Sequence, residues 1–161
     1  MRIGLVIYGR LDTRSGGYLY DRQLVAHLRA QGDTVDVISL PWQNYGRHLL
    51  HNLAPTMHRR LHAARYDLLL QDELNHPSLF WLNRRLHGRF PLISIVHHLR
   101  SREARPAWQN ALYRAVERAY LRTVDGFICN SHTTRRTVAA LAPGRPTCVA
   151  LPAGDRFQPD L

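Results

Sequence analysis

The chain contains no lysine. All 22 of its basic residues are arginine, and against 12 acidic residues they leave a formal charge of +10. Guanidinium forks match phosphate oxygens, so this bias suits phosphate recognition. The excess charge points to anionic partners: a nucleotide, a nucleic acid or an anionic membrane surface. Cysteine is scarce too. Cys129 and Cys148 are the only two, and both lie in apolar runs. Without a Cys-x-x-Cys pair, a zinc ribbon and a dithiol redox motif are excluded, and reduced, buried thiols in a cytoplasmic protein are the expectation. No segment approaches eighteen apolar residues, so no membrane-spanning helix is expected. The apolar stretch of MRIGLVIYGR is too short for a signal peptide. Internal repeats and low-complexity tracts are also lacking. What remains is a chain of 161 residues, 45% hydrophobic and 21% charged. That is enough for one domain with a sizeable core, and too apolar for global disorder.

Strand and helix signals alternate along the chain. IGLVIY (3–8), TVDVISL (34–40), DLLLQ (67–71), PLISIVH (91–97), DGFICN (125–130) and TCVALP (147–152) are short apolar runs. Between them, YLYDRQLVAHLRAQG (18–32) carries Tyr20, Leu24, Val25 and Leu28 at helical spacing, with Gly32 as a stop. In AWQNALYRAVERAYLRTV (107–124), Trp108, Ala111, Leu112, Ala115, Val116 and Ala119 hold helical spacing and predict the buried stripe. Ser131 predicts an N-cap for HTTRRTVAALA, and the stretch 41–66 predicts helix interrupted near Pro55. Six strands with intervening helices predict an α/β fold: a Rossmann-like, doubly wound, mainly parallel six-stranded sheet with helices on both faces. Ligands of such sheets bind beyond the carboxyl ends of the strands. Those ends carry Arg10 to Gly17, Asp72 to His76, His97 to Glu103, Asn130 to His132 and Pro152 to Asp155.

Each polar group at that edge has a plain reading beside a functional one. Gly16-Gly17, between the first strand and the first helix, is either a tight turn or a loop whose bare amides and helix N-terminus hold a phosphate. The spacing Gly-x-Gly-x-x-Gly is absent, which disfavours a nicotinamide dehydrogenase. His97 ends a strand and faces the crevice, or is satisfied by local backbone. His98 follows on the opposite face, so the two do not share a metal. Asp72, Glu73 and His76 bind sugar hydroxyls or cap the next helix. His51, His58 and His62 are separated by Pro55 and make no clean metal pattern, so no metal is expected. The same stretch sets Arg47, Arg59, Arg60 and Arg65 beside Trp42, Leu49, Leu50, Leu53 and Leu61. It reads as a solvated helix face or as a basic amphipathic surface for an anionic membrane.

The ordered set MRIGLVIY, SGGYLYDRQLVAHLRAQGDTVDVIS, YDLLLQDE, PLISIVHHL and ERAYLRTVDGFICNSHTTRRTVAAL resembles the N-terminal Rossmann-like domain of GT-B retaining glycosyltransferases of group 1, glycosyltransferase family 4. The closing VALPAGDRFQPDL resembles the segment that precedes the second domain of that family. The resemblance covers essentially all of residues 1–161 and implies a single N-terminal, acceptor-side domain. It implies a retaining hexosyltransferase whose co-substrate is a nucleotide-sugar, with no separate cofactor, acting on a glycan or lipid-linked acceptor. By the same resemblance, Gly16 and Gly17 approach the donor diphosphate, and His97 contacts the donor sugar near the reacting carbon. Asp72, Glu73, His76, Arg100, Arg102, Glu103 and Asn130 would shape the acceptor side. His98 stands where the family more commonly has aspartate. The family's Glu-x7-Glu carboxylates belong to a second, nucleotide-binding domain. The only glutamates here, Glu73, Glu103 and Glu117, do not have that spacing. The expectation is a half-enzyme that needs its C-terminal partner domain in cis or in trans, in the cytoplasm with peripheral contact at the inner face of the membrane. The competing reading is a non-catalytic module that binds nucleic acid or an anionic membrane through arginines. Those arginines scatter over helices while the strands are buried, so no nucleic acid partner is expected.

Overall fold

A computed structural model describes residues 1–152. Its centre is a six-stranded sheet in the order β2-β1-β3-β4-β5-β6, formed by β1 (Arg2–Tyr8), β2 (Thr34–Leu40), β3 (Leu68–Asp72), β4 (Leu92–Val96), β5 (Gly126–Cys129) and β6 (Thr147–Val149). Every neighbouring pair is parallel. The sheet and its flanking helices match the doubly wound expectation. β6 stops at Val149, short of the anticipated 152, and as the edge strand it leaves Cys148 exposed, whereas Cys129 is buried as expected. The closing segment from Ala153, including Asp155, lies outside the described residues.

The residues of β1 explain why both faces are covered. Ile3, Leu5 and Ile7 pack in one core cluster with Tyr18, Val25, Val35, Leu70 and Ile95. Val6 and Tyr8 alternate into a second cluster with Ile38, Leu61, Leu69, Leu92, Tyr120 and Val138. A period of two with apolar residues on both sides is what a sandwiched parallel strand requires. The first cluster is roofed by α1 (Gly16–Ala30), which buries Tyr18, Asp21 and Val25. The second is covered by α3 (Pro55–Ala63), α5 (Leu82–Leu86) and α6 (Ala107–Leu121), whose Leu61, Leu82, Leu86, Tyr120 and Leu121 belong to it. As anticipated, α2 (Tyr45–Leu50) is broken from α3 at Pro55, which takes the first position of α3. α7 (His132–Leu141) starts at Ser131, whose hydroxyl accepts from the amide of Thr134.

The face of α6 differs from the sequence expectation. Trp108 is 69% exposed and Leu112 51%, and Ala111 and Ala115 also face solvent. The buried residues are Glu117, Tyr120 and Leu121. A glutamate sits on the inner face because the Ser101 amide and hydroxyl both donate to its carboxylate, so the helix docks about a polar anchor. The helix anticipated after Asp72 is present as two short pieces, α4 (His76–Leu79) and α5, which fill the β3–β4 connection.

Candidate active site

The strand order reverses direction between β1 and β3, so the crevice opens at their carboxyl ends. β1 leaves the sheet at Gly9, whose φ of 58° is a left-handed conformation that glycine adopts without strain. The loop that follows is tied down by the Arg22 guanidinium, which donates to the carbonyls of Leu11 and Thr13. Ser15 then caps α1 by accepting from the Tyr18 amide.

Gly16 and Gly17 form the first turn of α1, and neither has positive φ. A Cβ on Gly16 would meet nothing within 4 Å, whereas a Cβ on Gly17 would lie 3.2 Å from Cδ2 of His97. The close neighbour that keeps position 17 bare is therefore the imidazole at the end of β4. One turn further along α1, Asp21 comes round to the same face. Its Oδ1 accepts a hydrogen bond from His97 Nε2 at 3.2 Å. The edge of the Tyr20 ring packs on the imidazole at a centroid distance of 5.1 Å, and the Tyr20 hydroxyl donates to the carbonyl of Ala150. Thus α1, β4 and the end of β6 all meet at His97. Nε2 is committed to Asp21, while Nδ1 has no partner among the described residues.

Asp72, at the end of β3, is the third member. One ligand atom each from Asp21, Asp72 and His97 falls within 4.8 Å of the others. Asp21 and Asp72 are both 0% exposed. Burial opposes the charged imidazole, but the Asp21 hydrogen bond and the charges of Asp72 and Asp21 outweigh it, and the pKa of His97 is raised. Asp72 is also raised, first by burial and then by the charge of Asp21. Its Oδ1 accepts from the Leu74 amide, the capping role foreseen as one of its two readings. The three ligand atoms are close enough together to hold a metal ion or, with two carboxyls side by side, a shared proton. His51, His58 and His62 are not brought together: His51 Nδ1 pairs with the Ser78 hydroxyl, while His58 stacks near His62.

The anticipated acceptor residues do not come together as one group: Asp72 belongs to the trio at His97, Asn130 lies beside it, and Glu73, His76 and Arg100 are neighbours elsewhere. Glu73 and His76 are buried, and neither presents its side chain to solvent. Burial, followed by the charges of Asp72 and Glu117, raises the Glu73 pKa strongly. Burial lowers that of His76 to about 4; its Nδ1 faces the Glu73 carbonyl and its Nε2 the Tyr45 hydroxyl. Arg100 lies between the rings of Tyr45 and Tyr113, at 5.4 and 4.9 Å from their centroids. It borders a cleft of about 270 Å³ lined by Trp42, Tyr45, His48 and Leu74. Arg102 is exposed, Glu103 pairs with Arg105, and Asn130 accepts from the Thr134 hydroxyl beside His97. His98 is exposed while His97 is largely covered, as expected for successive residues leaving a strand. The sequence reading missed Asp21. Its signal was a carboxylate on the stripe it shares with Val25, four residues on.

A parallel, doubly wound sheet with helices on both faces defines a Rossmann-like domain. The family profile described as glycosyl transferase 4-like domain matches residues 15–154, and the chain belongs to this glycosyltransferase family. No curated protein matches the chain. Among the described residues, no helix is long and apolar enough to cross a membrane.

Proposed function

We propose that this domain is the acceptor-side half of a retaining hexosyltransferase that takes its sugar from a nucleotide-sugar donor. The observation that carries the reading is His97: one ring nitrogen is fixed on buried Asp21, and the other is left for a ligand at the carboxyl edge of β4. When the glycosidic bond to the donor breaks, the leaving phosphate oxygen gains negative charge. A protonated Nδ1 donating there, or to a sugar hydroxyl beside it, binds the transition state more tightly than the ground state. The open space over Gly16 leaves the first turn of α1 accessible to the diphosphate. The cleft beside Arg100 and Trp42, with its aromatic walls, suits the acceptor. A second lobe, in the same polypeptide or in a partner, holds the nucleotide, and transfer needs both. The test is a transfer assay on the two-lobed enzyme with nucleotide-sugars, reading the anomeric configuration of the product by proton coupling constants. Retention is expected. Inversion, or transfer by residues 1–161 alone at the full rate, would contradict the proposal.

A further inference from the structure

Asp21 and Asp72 present a problem of charge. Both carboxyls are fully buried, and each has one oxygen, Asp21 Oδ2 and Asp72 Oδ2, with no hydrogen-bond partner. Among the described residues no arginine pairs with either; their one cationic neighbour is His97. Two ionised carboxylates this close, away from water, repel strongly, as in other carboxyl dyads. One proton resolves both difficulties. On Asp72 it supplies the missing donor, and an Asp21 oxygen supplies the acceptor.

We propose that Asp21 and Asp72 share a single proton, and that this singly charged pair is the positioning device for His97, fixing Nε2 on Asp21 and keeping both ring nitrogens protonated so that Nδ1–H is the donor offered to the substrate. Asp21 acts by direct hydrogen bond and Asp72 acts through Asp21. The trio then carries one negative charge on the pair and one positive charge on the ring, and is neutral overall. A doubly ionised pair would give the crevice a net negative charge and would repel an anionic donor. The use made of Nδ1 rests on the functional reading above; the shared proton does not.

The groups around the trio are few. α1 contributes Asp21 itself, Tyr18 and Tyr20. The turn after β3 contributes Glu73, whose pKa is raised and which is therefore kept largely neutral. From α6 comes Tyr120, whose pKa is raised by burial and which donates to Ser94. Cys129 and Cys148 lie near Tyr20. None supplies a second positive charge, so His97 alone balances the pair.

The test is nuclear magnetic resonance on the 161-residue chain: long-range proton–nitrogen spectra of His97 and carboxyl carbon shifts of aspartate, followed against pH. In the wild type, His97 is expected to stay doubly protonated beyond pH 6.5, with one aspartate carboxyl still protonated well above 3.8. Asp21→Asn should lower the His97 pKa by about one pH unit or more, by removing the charge at Nε2. Asp72→Asn should abolish the late-titrating carboxyl while leaving Nε2 bonded, and should lower His97 less. If Asp21→Asn does not fold, the wild-type and Asp72→Asn titrations still decide. Two carboxyls ionised together at pH 6, or a His97 titration unchanged by Asp21→Asn, would overturn the proposal. So would micromolar Mn²⁺ or Zn²⁺ binding that either asparagine variant removes. None of these readouts needs a sugar. A shared proton in a chain whose His97 proves irrelevant to transfer would leave this inference standing and remove only the functional reading.

Discussion

At the scale of single residues, Gly17 and His97 depend on each other. The glycine is not there for an unusual backbone, since its φ is not positive. It leaves room for the imidazole, because a Cβ would stand 3.2 Å from Cδ2. Gly17→Ala should therefore fold, with alanine's better helix propensity of about 0.5–1 kcal/mol offsetting the crowding. It should displace the ring by a few tenths of an ångström and lower transfer roughly tenfold, about 1.4 kcal/mol. Melting temperature and His97 ring signals measured on one sample check this: unchanged ring signals and unchanged activity would contradict it. The titrations have a definite sign. His97 and Asp72 both have raised pKa values, so the folded chain binds more protons than the unfolded one. Their contribution to stability is fully present below the unfolded values, 6.5 and 3.8, and is lost as pH rises through the folded ones.

At the scale of elements, α6 shows what periodicity can and cannot reveal. Helical spacing placed the element correctly at Ala107–Leu121, but of the apolar stripe Trp108, Ala111, Leu112 and Ala115 face solvent and only Val116 and Ala119 are half-buried. Nothing local distinguishes a stripe that packs inward from one that does not. The docking is decided by Glu117 and Ser101, sixteen residues apart, and only the folded chain brings them together. Glu117→Ala should orphan the Ser101 amide and hydroxyl and cost roughly 1–3 kcal/mol, while Glu117→Gln keeps one acceptor and one donor and should cost less. Burial raises the Glu117 pKa above 4.5, so the folded state favours the protonated acid. The wild type should gain on Glu117→Gln as pH falls through that range, and lose on it as pH rises. Denaturant melts of the three proteins at pH 4 and pH 7 measure both effects. Other elements were legible for physical reasons. β1 is a continuous apolar run, Pro55 cannot continue a helix, and Ser131 is a natural cap. The division of the helix after Asp72 into α4 and α5 was not, because four- and five-residue helices carry too little periodicity to register.

At the scale of the whole molecule, the edge of the sheet was legible and the partnerships across it were not. Alternating strand and helix signals imply a parallel sheet, and a parallel sheet gathers its strand ends. His97, Asp72 and Gly17 could therefore be assigned to one crevice before any coordinate was known. The burial of Asp72, Glu73 and His76 was invisible, since it depends on contacts distant in sequence, such as Asp72 with Asp21 and His97, and His76 with Tyr45 and Tyr120. Asp21 showed only as a carboxylate on an apolar stripe, and its partner, seventy-six residues away, was invisible. On the proposed function, His97 faces the reacting sugar donor and the carboxyls behind it serve that role. The most direct measurement is the steady-state transfer rate of His97→Ala in the two-lobed enzyme, paired with its melting temperature and with His98→Ala as the internal control. The prediction is a loss of roughly a hundredfold or more in turnover, about 3 kcal/mol, with little loss of thermal stability and a smaller effect for His98→Ala. Near-full activity of His97→Ala, or a loss that merely follows unfolding, would contradict it.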